Sequence, residues 1–332
     1  MLMPKLVVVG SARIDAFMTL PDDKADSYCD LNTKKCVVEL SYAAKIPMRS
    51  VEFLLGGNGA NVSVGTKRMG VDSALVAEVG TGVMGDYTKR ELEREVNTEH
   101  VSQQEGVPAG FGAVIVYQGE RTILSYYPPV TPVFPDNVCE AEWVYLTSTG
   151  EKFEEYYEGV YKWLESCSPK LVFNPGGRQI ARGKDWLRKY LERTEILIVN
   201  REEGEEIVGM NGEQSYEKEK ELIGELARLG AKKVVVTDGM KGAFAFDGNK
   251  FWHSGVLPID AIERTGAGDA FSTGILAATI QDKPMNEALM WGTINSASVI
   301  GYVGPEKGLL RTEQMQEWFE RAESSEVKVE EF

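Results

Sequence analysis

Two short glycine-rich runs in this chain carry the residue types that anion chemistry needs. The later one is Glu263-Arg264-Thr265-Gly266-Ala267-Gly268-Asp269-Ala270-Phe271, where Gly266 and Gly268 stand just ahead of an apolar, small-residue segment. Glycines at a helix entry let backbone N–H groups converge, and the helix N-terminus adds positive potential, so an anion is favoured there. An aspartate at such a terminus can equally serve as a helix cap. The earlier run is Gly56-Gly57-Asn58-Gly59-Ala60-Asn61, directly ahead of the helix-like stretch Val62–Met69. Its glycines permit close backbone approach of a ligand, and the plainer alternative is a tight helix-start turn capped by Asn61. A third candidate is Gly10-Ser11-Ala12-Arg13-Ile14-Asp15, at the carboxyl end of the first apolar run. Open α/β sheets bind ligands at such strand ends, so Asp15 is either a loop cap or a partner for substrate hydroxyls. No GxGxxG follows that strand, which removes the dinucleotide fingerprint.

These loops need a scaffold, and the rest of the chain reads as one. Short, nearly continuous apolar runs recur at Leu6–Val9, Leu75–Val79, Trp143–Leu146, Leu171–Phe173, Ile196–Val199 and Val234–Thr237. Continuous hydrophobicity over so few residues suits strands covered on both faces, as in a parallel sheet. Between them lie segments with helical spacing: Ala60–Met69, Asp86–Val96, Phe153–Leu164, Lys184–Leu191 and Glu217–Leu229. This alternation predicts a doubly wound α/β sheet. Ala267–Ile280 and Met285–Val299 read as consecutive apolar helices. Residues 12–55 break the rhythm, with β-prone pieces near Val37–Leu40 and Ser50–Leu54. Residues 111–127 predict a hairpin, Phe111–Tyr117 and Thr122–Tyr127, turning at Gln118-Gly119-Glu120-Arg121. The acidic stretch Ser324–Phe332 reads as a frayed tail.

With 332 residues the chain can bury a substantial core, and its net charge of −15 argues against nucleic acid or a membrane surface as a partner. No run approaches the roughly 20 apolar residues of a membrane span, and the first residues lack a signal peptide's basic start and cleavage site. The expectation is a cytoplasmic protein. Cys29, Cys36, Cys139 and Cys167 show no CxxC spacing. A Cys29–Cys36 disulfide is possible on spacing, but scattered reduced thiols are the expectation. The two histidines, His100 and His253, fit neither a metal nor a triad spacing, and no GxxxxGK[ST] P-loop is present.

The GSxxxD, GGNGAN and TGAGDAF motifs, in that order and separation, resemble the ribokinase-like (PfkB) carbohydrate kinases, and the resemblance runs from Leu6 to about Ala322. It implies a ribokinase-like three-layer α/β/α sandwich in a single domain over residues 1–322. A small β-sheet lid would be formed by about 12–55 and 111–127, with 323–332 as an acidic C-terminal tail. It also implies an ATP-dependent phosphotransferase. Asp269 would be the base for an acceptor hydroxyl, with Gly266, Ala267 and Gly268 forming an anion hole for the transferred phosphoryl group. Asp15, Gly57, Asn58 and Asn61 would hold the sugar. Asn200-Arg201-Glu202-Glu203 is similar to the family's NxxE element, so Asn200 and Glu203 would organise the water shell of Mg²⁺, although acids also favour any helix N-terminus. Thr237, Gly239 and Gly242 would line ATP, and Asn295 would sit on the adenine wall.

The chain departs from the family pattern in three places. The late loop opens Glu263-Arg264-Thr265 where Asp-Thr-Thr is usual, so the monovalent cation of that position stays open. Arg264 could reach a nucleotide phosphate or face solvent. Asn58 stands where ribokinases carry Lys, which weakens ribose as acceptor, and Asp238 stands where Leu is common. A small sugar is therefore the expected acceptor. A nucleoside is the alternative, and a catalytically silent sugar-binding regulator is a rival from another class. Free backbone groups on a lid strand suggest a homodimer through the lid.

Overall fold

A computed structural model describes residues 4–30, 35–128, 132–138, 140–210 and 216–332. Among them, a ten-stranded sheet runs in the order Val329–Glu331, Phe251–Ser254, Ala243–Phe246, Lys233–Thr237, Thr194–Asn200, Lys170–Asn174, Trp143–Thr147, Leu6–Val9, Ser73–Thr81, Asn97–Pro108. From Lys233–Thr237 to Asn97–Pro108 all neighbours are parallel. The other edge is antiparallel.

The inner parallel strands are covered on both faces, which explains their nearly unbroken hydrophobicity. Leu6 and Val8 point into one core, with helices Asn58–Arg68, Ala267–Ile280 and Met285–Ile300. Val7 and Val9 point into the other, with helices Glu154–Cys167, Lys184–Leu191 and Tyr216–Arg228. The predicted helices Lys184–Leu191 and Ala267–Ile280 have the observed bounds, as does the strand Leu6–Val9.

The chain leaves the main sheet twice, after Leu6–Val9 and again after Asn97–Pro108, to build a second sheet ordered Ser50–Gly56, Arg13–Thr19, Phe111–Tyr117, Glu120–Tyr126. The Phe111–Tyr117 hairpin turns through Gln118 and Gly119, both at positive φ, the two-residue turn that suits twisted strands. A separate hairpin pairs Asp26–Asp30 with Lys35–Glu39.

Several expectations change. The antiparallel edge, built of strands only three or four residues long, and the long, mostly polar strand Asn97–Pro108 were not predicted. The tail is not frayed: Val329–Glu331 pairs with Phe251–Ser254, and the Phe332 ring meets Phe244 and Phe251. Cys29 and Cys36 are not free thiols, because hairpin register sets them directly opposite, Cα atoms 4.0 Å apart, in a disulfide. Cys167 is free, and Cys139 lies outside the described residues. No described helix is long and apolar enough to cross a membrane.

The two apolar helices Ala267–Ile280 and Met285–Ile300 cross at Gly274, where an added Cβ would lie 2.5 Å from the backbone N of Gly292 and the backbone C and O of Trp291. Helix propensity alone would favour alanine there by up to about 1 kcal/mol. Overpacking against backbone costs typically about 1–3 kcal/mol, so the clash should win. Gly274→Ala is expected to lower the urea midpoint of unfolding, and an unchanged or raised midpoint would show that the crossing has slack.

Candidate active site

Asp15 owes its place to the chain leaving the main sheet. The turn Gly10-Ser11-Ala12 ends the strand Leu6–Val9 and feeds Arg13–Thr19 into the small sheet. Gly10 meets the glycine run of the next helix so closely that a Cβ on it would lie 2.9 Å from Gly59 Cα. The Ala60 N–H then donates to the Ser11 carbonyl at 3.1 Å. On the neighbouring strands, Gly56 and Gly112 leave the slot that the Asp15 carboxylate fills: a Cβ there would come within 2.4 and 2.1 Å of its oxygens. Arg13 Nε donates to Asp15 Oδ1 at 2.7 Å. Burial pushes the Asp15 carboxyl up, against Arg13.

Helices Asn58–Arg68 and Ala267–Ile280 bring their N-termini together. Asn61 Nδ2 donates to Asp269 Oδ2 at 2.7 Å, joining residues 208 apart in sequence. The surrounding protein pushes the Asp269 carboxyl up to about 6, with Asn61 pulling the other way. Gly266, at φ 80°, precedes the helix. A side chain there would strike Pro305, 2.4 Å from its Cβ. The Ala267 N–H makes a long contact with the Arg264 carbonyl, 3.4 Å, while the next amides have no acceptor within the helix itself.

Two cavities meet at this helix start. The first, about 380 Å³, is lined by Asp15, Gly57, Asn58, Asn61, Glu203, Gly266 and Asp269 together with Arg13, Arg121, Tyr127 and Arg178. Asn58 is held on its wall by Nδ2 donating to Ser148 Oγ at 3.1 Å. The second, about 450 Å³, takes Thr237, Gly239, Gly242, Arg264, Ala267 and Gly268, with an apolar wall of Val256, Leu257, Pro258, Ile259 and Phe271. The loop 264–269 thus contributes to both walls.

Two predicted site residues have other work. Asn295 is fully buried and lines neither cavity. Its Nδ2 donates to the Ala270 carbonyl and its Oδ1 accepts the Leu310 N–H, so it ties two segments together. Asn200 caps the helix Arg201–Val208: its side chain accepts the Glu203 N–H at 2.8 Å, and the Asn200 N–H donates to Glu203 at 2.9 Å. Glu203 still reaches the first cavity. Burial pushes its carboxyl up, helped by Glu202 and Asp269 and opposed by the Asn200 N–H. A carboxylate held at such a cost suits a divalent cation's water shell.

Glu263, the departure in the late loop, is 1% exposed and already engaged. It accepts from the Thr265 N–H at 2.6 Å, from the Thr265 hydroxyl, and from the Gly304 N–H at 3.4 Å. Arg121 of the small sheet reaches it at 3.5 Å. Arg264 pairs with Glu120 at 3.3 Å while facing the second cavity.

The sequence reading missed Arg121 and Arg178 as residues of the site. Arg178 has one local signal, Gly176-Gly177-Arg178 just past the strand Lys170–Asn174, at the ligand-binding end of a parallel sheet. The Arg13 and Arg178 guanidiniums lie 5.4 and 4.4 Å from the Tyr127 ring centre. Burial pushes the Tyr127 phenol up, and the two cations more than offset it.

Comparison with known proteins finds relatives in sequence and in fold. Fructoselysine 6-kinase of Escherichia coli is 26% identical over 250 residues, covering 75% of this chain and 90% of that protein. The structure of Arabidopsis thaliana ribokinase complexed with ribose and ATP superposes with a TM-score of 0.77 at 20% identity, covering 96% of this chain and 99% of that one. The nucleoside kinase of Methanocaldococcus jannaschii gives 0.72 at 19%, covering 97% and 99%. These two share the ribokinase-like fold. The pfkB family carbohydrate kinase model matches residues 3–312. With that match spanning nearly its whole length, the chain belongs to the pfkB family of carbohydrate kinases.

Proposed function

We propose that the protein transfers the γ-phosphoryl group of ATP to a hydroxyl of a small sugar. The observation that carries this reading is the loop 264–269 standing between two cavities, with Asp269 facing one and Ala267 and Gly268 the other. The mostly polar cavity would take the sugar, and the one with the apolar wall would take adenine and ribose. Asp15, Gly57, Asn58 and Asn61 would hold sugar hydroxyls. Asp269 takes the proton of the acceptor hydroxyl as its oxygen bonds to the γ-phosphorus and the bond to the β-phosphate oxygen breaks, releasing ADP. The first-turn amides of helix Ala267–Ile280, with its dipole, offset charge on the moving group. Mg²⁺, when bound to the nucleotide, neutralises phosphate charge, and Glu203 is the residue we assign to its water shell. The small sheet acts as a lid that keeps water from the phosphoryl group. A cytoplasmic location, with its supply of ATP, belongs to the same reading.

A nucleoside acceptor would need a free aromatic or apolar slot for its base. Tyr127 is the aromatic ring of the sugar cavity, and two guanidiniums already occupy it. A silent sugar-binding regulator would have no use for a carboxylate directed at the acceptor cavity. The Glu263 carboxylate, already satisfied by Thr265, Gly304 and Arg121, leaves little for a monovalent cation to do. On the small sheet, Val51 and Phe53 of the edge strand Ser50–Gly56 and Leu124 and Tyr126 of the opposite edge strand Glu120–Tyr126 are exposed, and we assign this sheet's exposed side to a second copy of the chain.

ADP release with ATP and Mg²⁺ should be measured against pentoses, hexoses, sugar acids, sugar phosphates and nucleosides. Turnover is expected on a sugar class, undiminished when choline replaces potassium. Asp269→Asn should lose about 10²–10⁴-fold while still binding ATP; near-normal turnover in that variant would end the base assignment. Wild-type kcat/KM should fall as the pH drops through about 6, where Asp269 takes up its proton. Asn61→Ala removes a donor that favours the carboxylate, so the acid limb should move to higher pH. A limb that stays put would mean that another group titrates. Sedimentation velocity at micromolar concentration should give a dimer, and a monomer would remove the lid interface.

A further inference from the structure

The chain carries 51 acidic residues against 36 Lys and Arg, so its field as a whole repels anions. The acceptor cavity is nevertheless lined by the guanidiniums of Arg13, Arg121 and Arg178. Their existing partners differ in strength. Arg13 is held by the buried Asp15 at 2.7 Å, and Arg121 reaches the buried Glu263. Among the described residues Arg178 has one carboxylate partner, Glu151 at 3.4 Å, a pair in which the side chains are 42% and 57% exposed, besides its contact with the neutral Tyr127 phenol. Such exposed pairs hold little energy against water and salt. Arg178 is therefore the cation with charge to spare.

It is also placed against another cation. Arg13 and Arg178 share the Tyr127 ring, and two like charges on one ring repel unless an anion joins them. A neighbouring donor points the same way. Gln179 is fully buried and lines this cavity, and its Nε2 has no hydrogen-bond partner among the described residues. An unpaired buried donor is costly unless a ligand supplies the acceptor.

We propose that the acceptor carries a negatively charged group, a carboxylate or a phosphate, which Arg178 and Arg13 bind beside Tyr127 and which selects charged sugars over neutral ones. This rests on the first cavity being the acceptor site. A planar guanidinium matches either anion through paired N–H groups, so both sources share one recognition chemistry.

The test uses the full chain with ATP and Mg²⁺ on sugar acids and sugar phosphates, each beside its uncharged parent. A charged member should exceed its parent at least about 10-fold in kcat/KM, the range one or two charge-assisted hydrogen bonds allow. Whether the preferred member is an acid or a phosphate identifies the anion. Arg178→Gln should raise the KM for that acceptor by about 10-fold or more and leave the KM for ATP unchanged. Arg178→Lys should restore part of the loss. Equal or better turnover of uncharged sugars, abolished by Asp269→Asn, would overturn the proposal and leave the kinase standing. So would a rise in the KM for ATP alone, which would give Arg178 to the nucleotide. If nothing turns over, thermal shifts with the same panel decide. Stabilisation by charged members that is lost in Arg178→Gln upholds anion recognition while the kinase reading fails, and no stabilisation by any member ends both.

Discussion

Helices Asn58–Arg68 and Ala267–Ile280 touch where Gly65 faces Thr273, so tightly that a Cβ on Gly65 would lie 2.6 Å from the threonine methyl. That close approach is the constraint on which the site depends. It brings two helix N-termini to one point, and with them the Asn61–Asp269 hydrogen bond. Two positive helix ends side by side are unfavourable for each other and favourable for an anion between them. The same packing surrounds Asp269 with protein, which lifts its carboxyl toward the range useful for proton transfer near neutral pH. Position, charge and basicity thus follow from one small-residue contact.

The main sheet serves this arrangement by its direction. Parallel strands end on the same side, so Ser11, Ser148, Arg178 and Glu203, each just past a different strand, collect on the wall of one cavity. The strand Lys233–Thr237 ends at the second cavity instead, beside Gly239 and Gly242. An acidic chain can then hold an anion because the attraction is local: amides, guanidiniums and helix ends act within a few ångströms, whereas the net charge is screened beyond about 8–10 Å.

What was legible in the sequence is what the backbone dictates. Gly56, Gly57, Gly59, Gly266 and Gly268 mark places where chain or ligand must come close, and that demand leaves a local trace. Strands covered on both faces were equally visible. The small sheet was only partly visible, because Arg13–Thr19 mixes polar and apolar residues without a clear period, and the main-sheet edge strand Asn97–Pro108 was hidden for the same reason. Side-chain partnerships across the fold leave no trace at all. Asn295 looked like a wall of the nucleotide site and instead bridges Ala270 and Leu310. Arg121 and Arg178 look like any solvated arginines until the fold turns them toward Glu263 and Tyr127.

Arg121 and Glu263 also bear on how such a chain can change over generations. The arginine belongs to the small sheet and the glutamate to the loop ahead of helix Ala267–Ile280, so the pair spans two parts that have their own packing. Loss of the arginine alone strands a buried carboxylate, and loss of the glutamate alone strands a half-buried cation. Neither residue is free to drift by itself. In lineages descending from this chain the two positions should be exchanged together, or by way of an intermediate in which a dissolved cation takes over the missing charge.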